Sequence, residues 1–286
     1  MAKPLRIATI NTNGIRAAYR RGMGAWLDSR EVDILAIQEV RASTEDIEAL
    51  LGPDWDILHD AATAKGRAGV ALASRKASDH GKASIHRVSL GDEEFDSAGR
   101  WLEADYEVNG KIITVVSTYV HSGEADTPKQ VEKYKFLDAM SNRLPELAAH
   151  SEYAVVLGDL NVGHRELDIK NWKGNVKRAG FLPRERSYFD RFLGPLGEDV
   201  TGVDGTTGKG LGWVDVGRQR SGEVEGPYTW WSWRGQAFTN DTGWRIDYQL
   251  ATPALADTVV EYAVDRAEAY DQRWSDHTPV VVDYDI

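Results

Sequence analysis

Short apolar runs rich in β-branched residues recur along this chain, and most stop at a carboxylate, a carboxamide or an imidazole. Residues 5–10 lead into Asn11-Thr12-Asn13-Gly14, residues 33–38 into Glu39, and residues 153–157 into Gly158-Asp159-Leu160-Asn161. Runs of this length and composition read as strands, and 69–74 adds another. Asn109-Gly110 joins 101–108 to 111–119, a dipeptide that favours a tight hairpin. Helical patterns lie between: one over 17–29, and a long one opened by Pro128 and reaching about His150, with Val131, Tyr134, Leu137 and Leu144 at helical spacing. Residues 163–192 read as a structured loop with helical pieces and 202–212 as glycine-rich, while 230–234, 245–250 and 280–284 read as returning strands. Consecutive hairpins with intervening helices fit a layered α/β arrangement better than a purely parallel sheet. Asn11, Glu39, Tyr119, Asp159, Asn161, Asp247, Asp276 and His277 all fall at or just past predicted strand ends. At one edge of a packed sheet pair such residues can converge into a site.

Composition narrows the class. At 286 residues the chain could fill two average domains, but one large α/β domain of this size is common. No linker, repeat or low-complexity tract divides it, so residues 1–286 are expected to form one domain. Hydrophobic residues at 42% and charged residues at 28% exclude extended disorder. No apolar run approaches the roughly 18 residues of a membrane-spanning helix. Met1-Ala2-Lys3-Pro4 runs into a strand without the apolar stretch of a signal peptide. The absence of cysteine excludes disulfides, zinc–thiolate sites and cysteine nucleophiles, and makes a reducing cytoplasm the simplest expected location. The net charge of −11 argues against a protein that passively coats DNA. It leaves room for an enzyme whose carboxylates gather around a divalent metal, which cancels part of their charge.

The strand ends carry the candidate chemistry. Gly158-Asp159-Leu160-Asn161 is either an Asx-turn closing a strand or an Asp that takes a proton from water beside an Asn that orients it. Glu39 is either a solvated charge or a metal ligand, and Asn11 and Asn13 form either an ordinary turn or part of the same group. Adjacent residues of an extended segment point to opposite faces, so Asp276 and His277 are expected to serve different partners. Asp247 is a carboxylate that would fix the tautomer of His277 and favour its charged form. Six of the ten tryptophans (Trp213, Trp230, Trp231, Trp233, Trp244 and Trp274) lie beyond residue 210, too dense a group to be core alone. Some are then free to stack on or wedge beside bases. Basic residues gather in expected loops at Arg16, Arg20, Arg21, Arg41, Lys65, Arg67, Lys170, Lys173, Lys177 and Arg178, as a solvated face or as a positive track beside the carboxylates. Glycine-rich nucleotide cradles, Gly-x-Ser-x-Gly and His-Glu-x-x-His do not occur.

An ordered set of short segments spans nearly the whole chain: Ile10-Asn11-Thr12-Asn13-Gly14-Ile15-Arg16-Ala17, Ile37-Gln38-Glu39, Gly69-Val70-Ala71-Leu72, Tyr119, Leu157-Gly158-Asp159-Leu160-Asn161-Val162, Trp244-Arg245-Ile246-Asp247-Tyr248 and Ser275-Asp276-His277. Together they closely resemble the exonuclease III/AP endonuclease family of the endonuclease/exonuclease/phosphatase superfamily. The stretch 167–175 and Ala179-Gly180-Phe181 are similar to a loop of its AP-endonuclease-rich branch. The resemblance implies a four-layer α/β sandwich, two mixed β-sheets packed face to face with helices on the outside. It also implies a Mg²⁺- or Mn²⁺-dependent DNA phosphodiesterase of base-excision repair, a monomer that cleaves duplex DNA at abasic sites and trims 3′ ends. Carried over, Glu39 and Asp276 are metal ligands with Asn11 and Asn13 nearby, and Asp159 deprotonates the attacking water beside Asn161. His277, held by Asp247, binds the scissile phosphate, and Tyr119 lies near the leaving group. Trp230, Trp244 and Ile246 wall the pocket for an extruded abasic sugar, while Arg16, Arg41, Lys173 and Lys177 are expected to contact DNA.

The chemistry agrees with that assignment. A phosphodiester anion repels hydroxide, so its hydrolysis needs positive charge on the phosphate and a positioned nucleophile. Oxygen ligands without cysteine favour Mg²⁺ or Mn²⁺ over zinc. Extruding an abasic nucleotide loses less stacking than extruding a paired base, which gives selectivity without base reading. The chain departs from the family after Tyr119, where His121 and Ser122 replace Pro and a polar amide, and the acidic Gly123-Glu124-Ala125-Asp126 follows. Asn13 also stands where relatives have Asp. Two rival readings are a phosphoesterase acting on a lipid or small phosphoester with the same core, and a catalytically dead DNA-end binder.

Overall fold

The structure, a computed structural model, describes residues 3–64, 66–78, 83, 85–91 and 94–286; Lys65 of the expected basic track lies outside them. Among the described residues two six-stranded sheets carry the fold. The first has the order β13 (Val259–Val264), β14 (Val280–Tyr284), β1 (Leu5–Asn11), β2 (Ile34–Gln38), β4 (Val70–Arg75), β3 (Trp55–Asp60). The second has the order β11 (Val214–Asp215), β12 (Asp247–Ala251), β8 (Tyr153–Asp159), β7 (Lys111–Tyr119), β6 (Trp101–Val108), β5 (Ile85–Arg87). Each sheet is antiparallel apart from one central parallel pair, β1 with β2 and β7 with β8. A parallel pair needs a crossover. The first is made by α1 (Ile15–Arg20) and α2 (Met23–Arg30), the second by α4 (Pro128–His150).

Three apolar layers explain the stacking. Ile7, Ala36, Leu72, Ala104, Val115, Leu157 and Val282 meet between the sheets. Ile10, Leu35 and Ile37 turn the other way, onto Ile15, Met23 and Leu27 of α1 and α2 and Ile47 of α3 (Thr44–Leu51). On the opposite side Val116, Val156 and Leu250 pack under Phe136, Met140 and Leu144 of α4 and Phe189 and Phe192 of α5 (Pro183–Leu193). Helices, sheet, sheet and helices make the four-layer sandwich the resemblance implied.

Several expectations change. The pattern over 17–29 is two helices, because the chain turns at Gly22 (φ 117°) after Arg21 N has closed α1 on Ala17 O and Ala18 O. Residues 230–234 form no strand; Trp230 makes isolated bridges to Trp244 and His277. The strand expected from Arg245 begins at Asp247, since Arg245 and Ile246 are drawn into side-chain and loop bonding instead. In α4 the inward stripe differs from the predicted one: Val131 is 55% exposed, while Gln130 and Lys133 are buried. The glycine-rich stretch contributes part of a small hairpin, β9 (Asp199–Thr201) with β10 (Thr207–Lys209).

Candidate active site

The carboxyl ends of both central parallel pairs open on one edge of the sandwich. There β1 ends at Asn11, β2 leads into Glu39, β7 ends at Tyr119 and β8 at Asp159. Across the second sheet Asp247 pairs in register with Asp159, and Asp276-His277 precedes β14. The turns that aim these groups are conformationally demanding. Asn13, Glu39, Arg41 and Asn161 all take φ between 47° and 50°, a region side chains with a Cβ rarely occupy and one that clusters at functional sites. Gly158, with φ 144°, is required by close approach: a Cβ there would stand 2.0 Å from Thr118 O of the adjoining strand.

Asn11 knits the site together. Its Nδ2 donates to Glu39 Oε1 at 2.8 Å and to Asp159 Oδ2 at 2.9 Å, and its Oδ1 accepts from Asn13 N at 2.9 Å. Asn13 Nδ2 in turn donates to Asp276 Oδ1 at 3.0 Å, and Trp230 Nε1 to Asp276 Oδ2 at 3.2 Å. Glu39 and Asp276 therefore belong to one network. Asn161 donates its backbone N–H to Asp159 Oδ1 at 2.9 Å and its Nδ2 to Asp159 Oδ2 at 3.1 Å. His277 Nδ1 meets both oxygens of Asp247 at 3.1 and 2.9 Å, while its Nε2 lies 3.7 Å from Asp159 Oδ2. Thr229 Oγ1 completes this arm by donating to Asp247 Oδ2 at 2.6 Å.

Charge follows from that geometry. Burial disfavours a charged His277, but Asp247 and Asp159 outweigh it and push the imidazole up to about 10. Asp159 is pushed above the usual carboxylate range by burial, with Asp247 and Glu39 adding to the effect and His277 and Asn11 opposing it. Burial also works against Asp276, yet His277, Asn13 and Trp230 hold it below its ordinary value. Tyr119 is raised far above its ordinary value, first by burial and then by Glu39 and Asp159, so its hydroxyl stays protonated.

Asp159, Asp247 and His277 have ligand atoms within 4.8 Å of one another, a spacing that would suit a metal. Asp247 and Asp159 favour the charged imidazole, whose nitrogens then have no lone pair to offer, so the trio reads as an ion-paired arm rather than a cation site. The better cation set is Glu39 and Asp276 with the Asn11 and Asn13 amides. It brings carboxylate and amide oxygens into one hydrogen-bonded group, the donor type a hard divalent ion takes.

The remaining predicted residues fall around this centre. Trp230 and Trp244 stand edge to face at 6.1 Å, half-buried, with Ile246 almost fully buried. Gly180 (φ 90°) seats Trp244, because a Cβ there would come within 2.8 Å of its ring. Trp213 and Trp231 are core. Arg41 pairs with Glu39, and the exposed Arg16 pairs with Asp46 at 3.1 Å. Lys173 and Lys177 are exposed in the loop before α5, outside the hydrogen-bonded cluster. Sequence reasoning missed Arg100, whose guanidinium lies 4.6 Å over the Tyr119 ring and donates to Tyr119 O at 3.1 Å. It also missed Thr229 and Ser275; Ser275 Oγ donates to Asn11 O at 2.7 Å. A single Arg or hydroxyl beside a strand carries no periodic signal that marks it.

A profile described as the endonuclease/exonuclease/phosphatase family matches residues 8–277. The chain belongs to this family. Among its members the chain is 28% identical over 277 residues to an exodeoxyribonuclease of Bacillus subtilis, covering 96% of this chain and 98% of that one. The structure of an AP endonuclease from Archaeoglobus fulgidus superposes with a TM-score of 0.78 at 27% identity, over 99% of this chain and 100% of the other. That of a 3′ phosphatase from Neisseria bound to a product DNA hairpin gives 0.80 at 25% identity, over 99% and 100%. Within the family, the resemblance to exonuclease III and AP endonucleases holds.

Proposed function

We propose that this protein is a divalent-metal-dependent DNA phosphodiesterase that cleaves duplex DNA at abasic sites and trims 3′ ends. The observation that carries the reading is the Asp159–His277–Asp247 arm joined through Asn11 to Glu39 and, through Asn13, to Asp276. Asp159, oriented by Asn11 and Asn161, accepts a proton from the attacking water, and its raised affinity for protons suits a base working near neutral pH. His277, kept cationic by Asp247, neutralises the phosphate oxygens as charge builds. Tyr119 keeps its proton and is a donor for the leaving oxygen. Glu39 and Asp276, with Asn11 and Asn13, would hold Mg²⁺ or Mn²⁺, which supplies Lewis-acid charge to the phosphate. Trp230 and Trp244 offer aromatic walls for a nucleotide swung out of the duplex, and Arg16, Arg41, Lys173 and Lys177 contact the backbone. Relatives named as an exodeoxyribonuclease, an AP endonuclease and a DNA-bound 3′ phosphatase support this substrate class.

A gel assay on one abasic duplex, with Mg²⁺ and with EDTA, tests the reading against a soluble phosphodiester. Incision only with Mg²⁺, and far faster on the duplex, is expected. Preference for the soluble ester would move the protein to the small-phosphoester rival, and metal-dependent binding without incision would make it an end binder.

A further inference from the structure

The inward face of α4 carries a charge where an apolar residue belongs. Lys133 is fully buried, and its Nζ lies 2.6 Å from Glu185 Oε1 of α5, itself fully buried. The same ammonium donates to Asn161 O at 2.7 Å and to Ser122 O at 3.3 Å, so its three protons have three acceptors. Glu185 is equally engaged: Oε1 also accepts from Gln130 Nε2 and Oε2 from Leu182 N, both at 2.9 Å. Attraction within a buried ion pair often does no more than offset its desolvation, so stability alone is a poor reason for this one.

The two carbonyls explain it better. Asn161 follows Asp159 by two residues and Ser122 follows Tyr119 by three, so one cation fastens the exits of β8 and β7 from behind. Asn161 sits at φ 50°, and from there its amide reaches both Asp159 Oδ2 and Val120 O, bridging the same two exits in front. The loop rests directly on this anchor: a Cβ on Gly123 would stand 2.5 Å from Gln130 Oε1 and 3.0 Å from Lys133 Cδ. Lys133 is also near enough to Asp159 for their charges to interact.

We propose that the Lys133–Glu185 pair is a positioning device for catalysis, holding the exits of β7 and β8 so that Asn161 keeps Asp159 aligned. The inference rests on the phosphodiesterase reading above. The pair acts through Asn161 and is itself sealed from DNA and metal.

Lys133→Met alone would strand Glu185 as an unpaired buried carboxylate, so the test uses K133M/E185M, which removes both charges, and E185Q, which keeps Lys133. Incision of an abasic duplex in Mg²⁺ is followed as kcat and KM beside a melting curve. The double variant is expected to melt cooperatively while kcat falls about 10- to 100-fold with KM within about twofold of wild type. E185Q is expected to show a smaller fall in kcat, again at unchanged KM. A folded double variant with wild-type kcat overturns the proposal. Should the double variant not fold, E185Q decides: lowered kcat at unchanged KM supports the proposal, and wild-type kcat overturns it. A wild-type protein inactive with Mg²⁺ removes the phosphodiesterase reading and this inference together, whereas active wild type with equally active variants removes the inference alone.

Discussion

Asp159 is a fully buried carboxylate that must be ionised to take a proton, and its neighbours pull in both directions. Burial, Asp247 and Glu39 favour the protonated form; His277 and the Asn11 amide favour the anion. A divalent cation held by Glu39 and Asp276 would tip that balance toward the anion. Asp159→Asn keeps the shape and removes the base. Single-turnover incision should fall by roughly 10²–10⁴, the usual worth of a positioned base, with DNA still bound. Near-normal incision would strip Asp159 of its role. At this scale the sequence was readable where a polar residue ended an apolar strand, as at Asn11, Glu39 and Asp159. Arg100 and Lys133 were not readable, because a lone Arg in a loop and a Lys in a helix look solvated until the tertiary fold covers them.

The same contrast holds for elements. The hairpin joining β6 and β7 follows directly from Asn109 and Gly110, both at positive φ, and α4 from its proline start and period. The aromatic segment after Tyr228 has strand-like composition, but Trp231 is buried against Phe238 while Trp230 bridges to Trp244, which breaks any alternation. Edge strands β3 and β13 were also missed; their half-exposed residues lack a clean period of two. What fixes the segment entering β12 is a buried ion network. Arg245 Nε donates to Asp168 Oδ1 at 2.7 Å and its Nη2 to Asp215 Oδ2 at 2.7 Å, with Arg218 also on Asp168. Burial raises the Asp168 carboxyl, but Arg245, the Arg165 N–H and Arg218 bring it down to about 2. An unfolded Asp titrates at about 3.9, so the folded state holds this proton less tightly. The resulting stabilisation, roughly 2–3 kcal/mol, is complete above about pH 4 and is lost as pH falls through about 2. Asp168→Asn should cost about 3–5 kcal/mol at neutral pH by leaving buried arginines underpaired, and should flatten that acid limb. Urea unfolding across this pH range checks both; an unchanged acid limb would assign it to other carboxylates.

For the whole molecule the puzzle is an acidic protein, net charge −11, that is proposed to grip a polyanion. Distribution resolves it. The exposed cations Arg16 and Arg20 lie on α1 rather than in the expected loop, Arg41 lies after β2, Arg67 before β4, and Lys173, Lys177 and Arg178 between β8 and α5. Arg16, Arg20, Arg41 and Arg67 line two pockets that share Arg16 and Arg41, and a net negative charge would penalise wrong orientations of DNA by like-charge repulsion. Local rather than global charge then sets affinity, and each phosphate contact releases counterions. Binding of a duplex with an uncleavable abasic analogue, measured in EDTA, should weaken linearly with log salt, by about 0.9 in slope for each phosphate engaged. Replacing Lys173 and Lys177 with Gln should lower that slope by roughly 1 for each lysine that touches a phosphate, with little change in sequence preference. A slope unmoved by both replacements would place the DNA away from that loop, and binding indifferent to salt would leave the basic face without a part in recognition.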